Sequence, residues 1–319
     1  MRGFIVAATA LALAACTSEA EAPQAASTET TYPGVPEAQA EQVRAMGAVI
    51  DPASYAIFAP LVGAPPYDDV TVDQDVAYGT DPAQRLDVYS ANGQADGEER
   101  PVLLFVHGGG FTGGRRAGDY YPQNITAWGA RNGMVGVNID YRLAPGATWP
   151  AARDDLAQAI GWVRENIARY GGDPQRIVLW GHSAGANHVA DYVQHADLQR
   201  SEAPSVIGAL LLSPAYMAEP GAEVHAYYGS DSNLQTAAPA IERLGRSRIP
   251  LMLAYAEFDP PPFQAFARAA GDTLCAEGGT LQCPRIVRLS DHNHLTEGAA
   301  VGSVDQSLTG PLLAWMEEL

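Results

Sequence analysis

A serine with a glycine two residues before it and another two residues after it gives the clearest chemical signal in this 319-residue sequence. The segment Gly181-His182-Ser183-Ala184-Gly185 follows an apolar run at 177–180 and precedes a helical pattern at 184–194. A tight strand-to-helix turn needs glycines beside the serine, and it exposes the hydroxyl at the carboxyl edge of a sheet. The start of the helix favours developing negative charge. Ser183 is therefore predicted to be the nucleophile of an acyl transfer.

Three consecutive glycines follow another apolar run, at 101–106. After His107 come Gly108, Gly109 and Gly110. Their backbone N–H groups can approach a substrate oxygen closely, and the N–H of Ala184 would complete an oxyanion hole. One such donor is worth roughly 3–4 kcal/mol in catalysis. His107 is predicted to hold this loop rather than to carry a proton.

The acid that accompanies the serine is expected at the carboxyl end of a buried strand later in the chain. In enzymes with this serine turn the order along the chain is serine, acid, histidine. Asp259 lies just beyond the apolar run 251–254, where the acid is expected. Glu257, two residues earlier, is the first alternative, and Asp231 is the second.

Two histidines compete for the role of proton carrier in the segment that follows the last predicted strand. His294 precedes an apolar residue at the entry to a helix, so it is favoured over His292. The other histidine is expected to brace the loop. His182 is predicted to be a packing residue because it alternates away from Ser183.

The basic residues exclude several chemistries. All 19 are arginine, so a Schiff base, a Ser-Lys dyad and a phosphate-loop lysine are ruled out. The net charge of -18 argues against nucleic acid and against electrostatic docking on anionic lipid. No Cys/His cluster resembles a zinc site, so we expect neither a metal nor an organic cofactor.

Strand and helix patterns alternate from residue 70 onwards. Predicted strands occupy 70–78, 84–89, 101–106, 134–139, 176–180, 206–212, 249–254 and 284–289. Predicted helices occupy 150–170, 184–194 and 311–319. The first two strands are expected to pair as an antiparallel hairpin at the edge. The pattern predicts an α/β fold with a mainly parallel sheet covered by helices on both faces.

The start of the chain reads as a targeting segment. Residues 1–15 contain a 12-residue apolar run that is too short to span a bilayer, which is typical of a signal peptide. The end of this run, Leu13-Ala14-Ala15-Cys16, resembles the cleavage motif of bacterial lipoproteins. That resemblance implies a lipid anchor on Cys16 and an exported protein, either periplasmic or held at the outer membrane. An ordinary signal peptide with an incidental cysteine is the alternative.

The remaining domain boundaries follow from composition. Residues 16–36 are rich in Ser, Thr, Ala, Glu and Pro and are predicted to be a disordered tether. Residues 37–66 are helical and form either a small lid or a surface layer, and 67–319 form the main domain. Cys275 and Cys283 flank a turn-rich segment and would pair in an oxidising compartment, with two free thiols as the alternative.

These motifs together resemble the α/β-hydrolase fold, in its group of hormone-sensitive-lipase, BD-FAE and carboxylesterase proteins. The resemblance runs from about residue 70 to the end of the chain. It includes the glycine loop after His107, Tyr141-Arg142-Leu143-Ala144-Pro145, and Asp173-Pro174-Gln175-Arg176 before the serine turn. Arg142 is expected to be a structural anchor that pairs with Asp154 or Asp155. His182 and the order Ser-Ala-Gly-Ala are closer to the BD-FAE and arylformamidase side. Arylformamidases tend to carry tryptophan directly after His-Gly-Gly, whereas this chain has Gly110 followed by Phe111. This departure favours ester hydrolysis over formamide hydrolysis.

The resemblance implies a serine esterase that acts on small-molecule esters through Ser183, His294 and Asp259. The intervals between these residues leave no room for a large inserted domain, so short acyl groups are expected. An arylformamidase, amidase or lactonase with the same triad is the first alternative. A catalytically inactive binding module is the second, and a peptidase is disfavoured because the chain has no room for its extra domain. Oligomeric state is not predicted.

Overall fold

An eight-stranded sheet forms the centre of the part of the chain that the structure describes. The computed structural model describes residues 31–93, 99–118, 121–199, 205–214, 222–229, 240–276 and 279–319. The strands are β1 Val70–Ala77, β2 Arg85–Ala91, β3 Arg100–Val106, β4 Val135–Ile139, β5 Gly172–His182, β6 Val206–Leu212, β7 Leu251–Phe258 and β8 Arg285–Asn293.

The strand order is β1-β2-β4-β3-β5-β6-β7-β8. Strands β1 and β2 form the predicted antiparallel hairpin at one edge, and β2 also pairs antiparallel with β4. Every other neighbouring pair is parallel. Parallel strands carry their carboxyl ends to one edge of the sheet, so the loops after β3, β5, β7 and β8 meet there.

Helices cover both faces of this sheet. They are α1 Glu37–Met46, α2 Tyr55–Val62, α3 Tyr121–Arg131, α4 Ala151–Asn166, α5 Ala184–Gln194, α6 Ala222–Tyr228, α7 Ile241–Gly245, α8 Pro261–Leu274, α9 Thr296–Ala299 and α10 Thr309–Met316. The predicted α/β class, with a mainly parallel sheet and helices on two faces, is confirmed.

Successive side chains of one strand supply the two halves of the core. In β3, Val102, Leu104 and Val106 pack with the face that α4 and α5 cover, whereas Leu103 and Phe105 pack with the face of α3 and α10. A strand that is buried on both faces has to be apolar at every position. This is why the continuous apolar runs predicted the central strands well.

Four helices, α3, α6, α7 and α8, have no predicted counterpart, and α3 shows one reason. Nearly the whole of α3 is buried, from Tyr121 to Ala130. Its buried residues include Gln123, Asn124 and Thr126, so the sequence gives no sign that this segment lies in the core. Strand boundaries differ more modestly: β5 begins at Gly172, and β8 continues to Asn293, four residues beyond its predicted end.

Cys275 lies at the end of α8 and Cys283 just before β8, and a disulfide joins them with their Cα atoms 4.6 Å apart. Both lie towards the amino end of β8, the opposite end from the loop that follows it. The predicted signal segment 1–15 and the proposed anchor Cys16 lie outside the described residues, as does most of the predicted tether 16–36. Within the described ranges, no helix has both the length and the apolar character needed to cross a membrane.

Candidate active site

The turn that carries Ser183 is held in a strained conformation. Ser183 lies between β5 and α5 with φ 55° and ψ -124°, a left-handed region that side chains rarely adopt. A Cβ on Gly185 would lie 2.1 Å from the carbonyl oxygen of Val106, and one on Gly181 would lie 2.5 Å from the carbonyl oxygen of Gly185. Both glycines are therefore required by close backbone approach.

The structure brings the three predicted triad residues together. His294 Nε2 lies 2.9 Å from Ser183 Oγ, and His294 Nδ1 lies 2.7 Å from Asp259 Oδ1. Because an ionised carboxylate only accepts hydrogen bonds, Nδ1 carries the proton and Nε2 offers its lone pair to the serine hydroxyl. Asp259 and His294 are buried, at 0% and 1% exposure. This connected chain can move a proton from the serine to the imidazole.

Two further groups hold the Asp259 carboxylate. Its Oδ2 accepts hydrogen bonds from Ser213 Oγ at 2.5 Å and from the backbone N–H of Ala256 at 2.8 Å. Oδ1 is thereby left to His294. The carboxylate is fixed on both sides, so the imidazole that it contacts has one orientation.

The alternative acids are placed elsewhere or are not described. Glu257 accepts a hydrogen bond from the backbone N–H of Asp291 at 3.0 Å and pairs with Arg288, also at 3.0 Å. These two contacts of the Glu257 carboxylate are with residues that precede His294 along the chain. Asp231 lies outside the described residues.

His292 has the bracing role expected of the second histidine. Its Nε2 lies 2.8 Å from Asp305 Oδ2, and its ring stacks on Phe58 with the centroids 5.7 Å apart. Burial alone would raise the pKa of the Asp305 carboxyl. Its contacts with His292 and Ser307 together outweigh burial, so the pKa is lowered below its ordinary value. His292 therefore ties β8 to α2 and to the segment before α10.

The glycine loop lies directly against the serine turn. A Cβ on Gly108 would lie 2.9 Å from Ser183 Cβ, and Gly109 and Gly110 both have positive φ. The N–H of Gly108 points to the hydroxyl oxygen of Tyr121 at 3.3 Å. Of the four predicted oxyanion donors, the Gly108 N–H is therefore already hydrogen-bonded to Tyr121 and is not available to a substrate oxygen.

The other three predicted donors are the N–H groups of Gly109, Gly110 and Ala184. Ala184 is the first residue of α5, where a backbone N–H has no partner within its own helix. The loop of Gly109 and Gly110 is closed by the N–H of Gly113, which donates to the Gly109 carbonyl oxygen at 2.9 Å. This leaves the N–H groups of Gly109, Gly110 and Ala184 as the candidate oxyanion hole.

His107 supports the loop, as predicted from the sequence. Its Nδ1 lies 2.7 Å from the Gly108 carbonyl oxygen, and its ring stacks on Tyr141 with centroids 4.4 Å apart. The Tyr141 hydroxyl donates to the His107 carbonyl oxygen at 2.7 Å.

Arg142 pairs with Asp155, at 2.7 Å, which settles the choice between the two acids predicted for it.

The helical segment before β1 contacts the histidine loop. Phe58 is fully buried against His292, and Ser54 Oγ accepts a hydrogen bond from Asn293 Nδ2 at 3.1 Å. Tyr55 stacks on Tyr121 with centroids 5.4 Å apart, and Arg44 pairs with Asp291 at 2.9 Å. Part of the segment predicted as a lid or surface layer is thus packed into the core beside the site.

Glu297 is the residue near the site that the sequence did not reveal. It lies in α9, it is 1% exposed, and its Oε1 is 3.2 Å from His182 Nε2. His182, predicted to be a packing residue, makes polar contacts on both ring nitrogens. A glutamate in a short helix resembles a surface residue in the sequence, and no local pattern indicates its burial.

Among the described residues, His182, His294 and Glu297 form a cluster of possible metal ligands, with one ligand atom of each within 4.8 Å of the others. The ring nitrogens of His294 already contact Ser183 and Asp259, and His182 Nε2 contacts the His294 carbonyl oxygen. These donors are committed within the protein, so the arrangement fits proton transfer better than metal binding.

The central segment of the chain resembles known proteins. The model of the BD-FAE family matches residues 86–199, which carry the glycine loop and the serine turn. Esterase LipQ of Mycobacterium tuberculosis is 40% identical over 117 residues, which are 36% of this chain and 27% of the relative. Phenmedipham hydrolase of Pseudarthrobacter oxydans is 41% identical over 107 residues, which are 31% and 21% of the two chains. The chain spans about a quarter of the length of these curated relatives.

Solved structures resemble the chain over nearly its whole length. The hyperthermophilic esterase of Pyrobaculum calidifontis superposes with a TM-score of 0.65, covers 90% of this chain and 98% of its own, and is 19% identical. The chain described by our structure therefore has the α/β-hydrolase fold. Esterase B of Lactobacillus rhamnosis gives a TM-score of 0.67 at 19% identity, over 88% of this chain and 95% of its own. The resemblance of this α/β-hydrolase chain to the BD-FAE and carboxylesterase group is confirmed.

Proposed function

We propose that this α/β-hydrolase is a serine carboxylesterase that hydrolyses small, short-acyl esters. The observation that carries the proposal is the connected set Ser183, His294 and Asp259, with contacts of 2.9 Å and 2.7 Å. The resemblance to proteins named esterases and carboxylesterases supports the same chemistry.

The first half of the reaction acylates Ser183. Its Oγ attacks the ester carbonyl carbon while His294 Nε2 accepts the hydroxyl proton. Asp259 stabilises the imidazolium and keeps Nδ1 protonated. The carbonyl oxygen, now negatively charged, accepts hydrogen bonds from the backbone of the glycine loop and Ala184. The carbon–oxygen bond to the alcohol then breaks, and the alcohol leaves with the proton from His294.

The second half releases the acid. Water attacks the acyl-serine carbonyl carbon and gives a proton to His294 Nε2. The tetrahedral intermediate collapses, the bond to Ser183 Oγ breaks, and the serine recovers its proton from His294. Acid and alcohol are the two products, and Ser183 returns to its starting state.

The preference for small esters rests on what surrounds the site. The described cover comes from residues 37–66, whose helices are anchored in the core through Phe58 and Ser54. Next to the glycine loop, Phe111 stacks on Tyr227 with centroids 5.3 Å apart, and Phe263 contacts the His294 ring at 4.7 Å. The support for compact substrates over long flexible acyl chains is Phe263 packed on the catalytic histidine and the anchored segment 37–66 beside it.

The test is hydrolysis of p-nitrophenyl esters from acetate to dodecanoate, with N-formylkynurenine and a lactone measured beside them. We expect the highest kcat/KM for acetate or butyrate, and loss of turnover in Ser183→Ala with unchanged folding. A preference for long chains would contradict the small-ester proposal. Faster turnover of the formamide or lactone would favour the alternative reactions, and no turnover would favour a binding module.

We also propose that the protein is exported and held to a membrane through lipid on Cys16. The support is the sequence alone, in which Leu13-Ala14-Ala15 precede this cysteine. Growth of a bacterial host with an alkyne fatty acid should label the wild-type protein. Cys16→Ser should remain unlabelled, and equal labelling of both would contradict the anchor.

A further inference from the structure

A buried carboxyl lies close to the catalytic histidine and to His182. Glu297 follows His294 by three residues and is 1% exposed. Its Oε1 lies 3.2 Å from His182 Nε2. Within the described part of the chain, neither carboxyl oxygen receives a well-aligned hydrogen bond. A carboxylate in that position would be desolvated with little compensation, which is costly, so the geometry favours the neutral acid.

The contacts of His182 fix where its proton lies. Nε2 is 2.8 Å from the His294 carbonyl oxygen, which can only accept, so Nε2 carries the hydrogen. Nδ1 is then an acceptor, and the Tyr121 hydroxyl at 3.3 Å donates to it. The Tyr121 oxygen in turn accepts from the N–H of Gly108 at 3.3 Å. A chain of polar contacts thus leads from Glu297 to the glycine loop.

The charges around this chain agree with a neutral pair. Burial raises the pKa of Glu297 well above its usual range, the negative charge of Asp259 raises it further, and the Ser213 hydroxyl offsets part of the effect. Burial, together with the charge of His294, lowers the pKa of His182 to about 3. Among the described residues, the titratable groups shown to act on Glu297 or to lie beside it are His182, His294 and Asp259.

We propose that Glu297 is a positioning residue, an uncharged carboxyl that holds His182 between the backbone of His294 and the Tyr121–Gly108 contact. His182 braces the main chain of the proton carrier on one side and the oxyanion loop on the other. Glu297 packs against the nitrogen that makes the first of these contacts. This inference rests on the proposed esterase function for its kinetic consequence, and on the geometry alone for the state of His182.

The kinetic test compares Glu297→Gln with Glu297→Leu. Gln is uncharged and nearly isosteric with the neutral acid, so we expect kcat within roughly 3-fold of wild type and an unmoved acid limb in the pH profile. Leu removes the polar contact, so we expect kcat to fall by roughly 10-fold or more with KM within about 2-fold. Glu318→Gln and Glu318→Leu, at an exposed carboxylate that pairs with Arg285, are the controls and should leave kcat unchanged.

Two kinetic outcomes would overturn the inference while leaving the esterase function intact. If Glu297 were ionised, Gln would remove a negative charge near His294 and would shift the acid limb to lower pH. If Glu297 had no positioning role, Leu would match wild type in kcat.

A second measurement needs no activity. The ring ¹⁵N shifts of His182 should show a neutral ring protonated on Nε2 from pH 5 to pH 9, and Glu297→Leu should change these shifts. An imidazolium signal, or shifts that Leu leaves unchanged, would contradict the proposal. Should the wild type hydrolyse no ester, the proposed function would fail, and these spectra would still decide the role of Glu297. Should Leu prevent folding, wild type and Glu297→Gln would still give both readouts.

Discussion

Arg116 follows the glycine loop and holds it through three carboxylates. Its Nε lies 2.8 Å from Asp87 Oδ1, its Nη2 lies 2.8 Å from Asp75 Oδ1, and its Nη1 contacts Asp140. The carboxylates differ in exposure: Asp87 is 1% exposed, Asp140 is 21% and Asp75 is 69%. Since exposed pairs contribute little, nearly all of the effect of Arg116 should come from Asp87 and Asp140.

We expect Arg116→Met to lower the free energy of unfolding by about 3–5 kcal/mol, because it leaves the buried Asp87 charge without its partner. The Asp75 contact should contribute at most about 1 kcal/mol of this. At about 2 °C per kcal/mol for a large domain, the melting temperature should fall by roughly 6–10 °C. A total stability of about 5–15 kcal/mol would leave the variant folded.

Urea unfolding followed by tryptophan fluorescence measures this change, since Trp128 and Trp180 are buried in the core. Arg285→Met is the matched control: its pair with Glu318 is 32% and 60% exposed, so the loss should stay below about 1 kcal/mol. Adding Asp87→Asn to Arg116→Met should recover part of the stability. A loss for Arg116→Met no larger than the control, or no recovery in the double variant, would refute the reasoning.

Three further predictions concern stability. Gly185→Ala should cost several kcal/mol or prevent folding, because its Cβ would lie 2.1 Å from the Val106 carbonyl oxygen. The control is Gly161→Ala, which has open space in α4 and should be neutral or stabilise the protein by up to about 1 kcal/mol. Thermal unfolding compares the two variants, and equal effects would count against the close approach at Gly185. Replacing Cys275 and Cys283 by serine opens a loop of sequence separation 8 and should cost about 2 kcal/mol in urea unfolding without changing kcat, so a drop in kcat would link the disulfide to the site. His188 is buried and its pKa is lowered to about 3, mainly by burial, so from pH 7 to pH 5 the unfolded chain gains a proton there that the folded chain does not. Stability is therefore lost as the pH falls, and wild type should lose about 2 kcal/mol more than His188→Gln over this range; parallel curves would contradict a neutral His188.

The sequence predicts the parts of the fold that local pattern controls. The central strands are apolar at every position because both faces are buried, and the loops at their carboxyl ends carry Ser183, Asp259 and His294. The structure places these three in contact, and their catalytic roles stay predictions. The preference for His294 over His292 depended on position relative to the following helix, and the structure gives the physical difference: His292 is occupied by Asp305.

Long-range contacts account for what the sequence did not predict. Glu297 and His182 come together only when α9 packs against the serine turn. The carbonyl group that His182 contacts belongs to His294, which is 112 residues further along the chain. The engagement of the Gly108 N–H by Tyr121 likewise depends on α3, a helix that the sequence did not predict. Nothing local distinguishes Arg116 from Arg115, whereas the fold gives Arg116 three carboxylates.

Labelling with a fluorophosphonate tests the central claim most directly, because such a probe reacts with an activated serine. Mass spectrometry of the intact protein and of its peptides should find one adduct per chain, located on Ser183. Ser183→Ala should take up no probe, and His294→Asn should react far more slowly because the serine loses its proton acceptor. An unlabelled Ser183 in folded wild type, or equal labelling of the His294 variant, would contradict a serine activated by this triad.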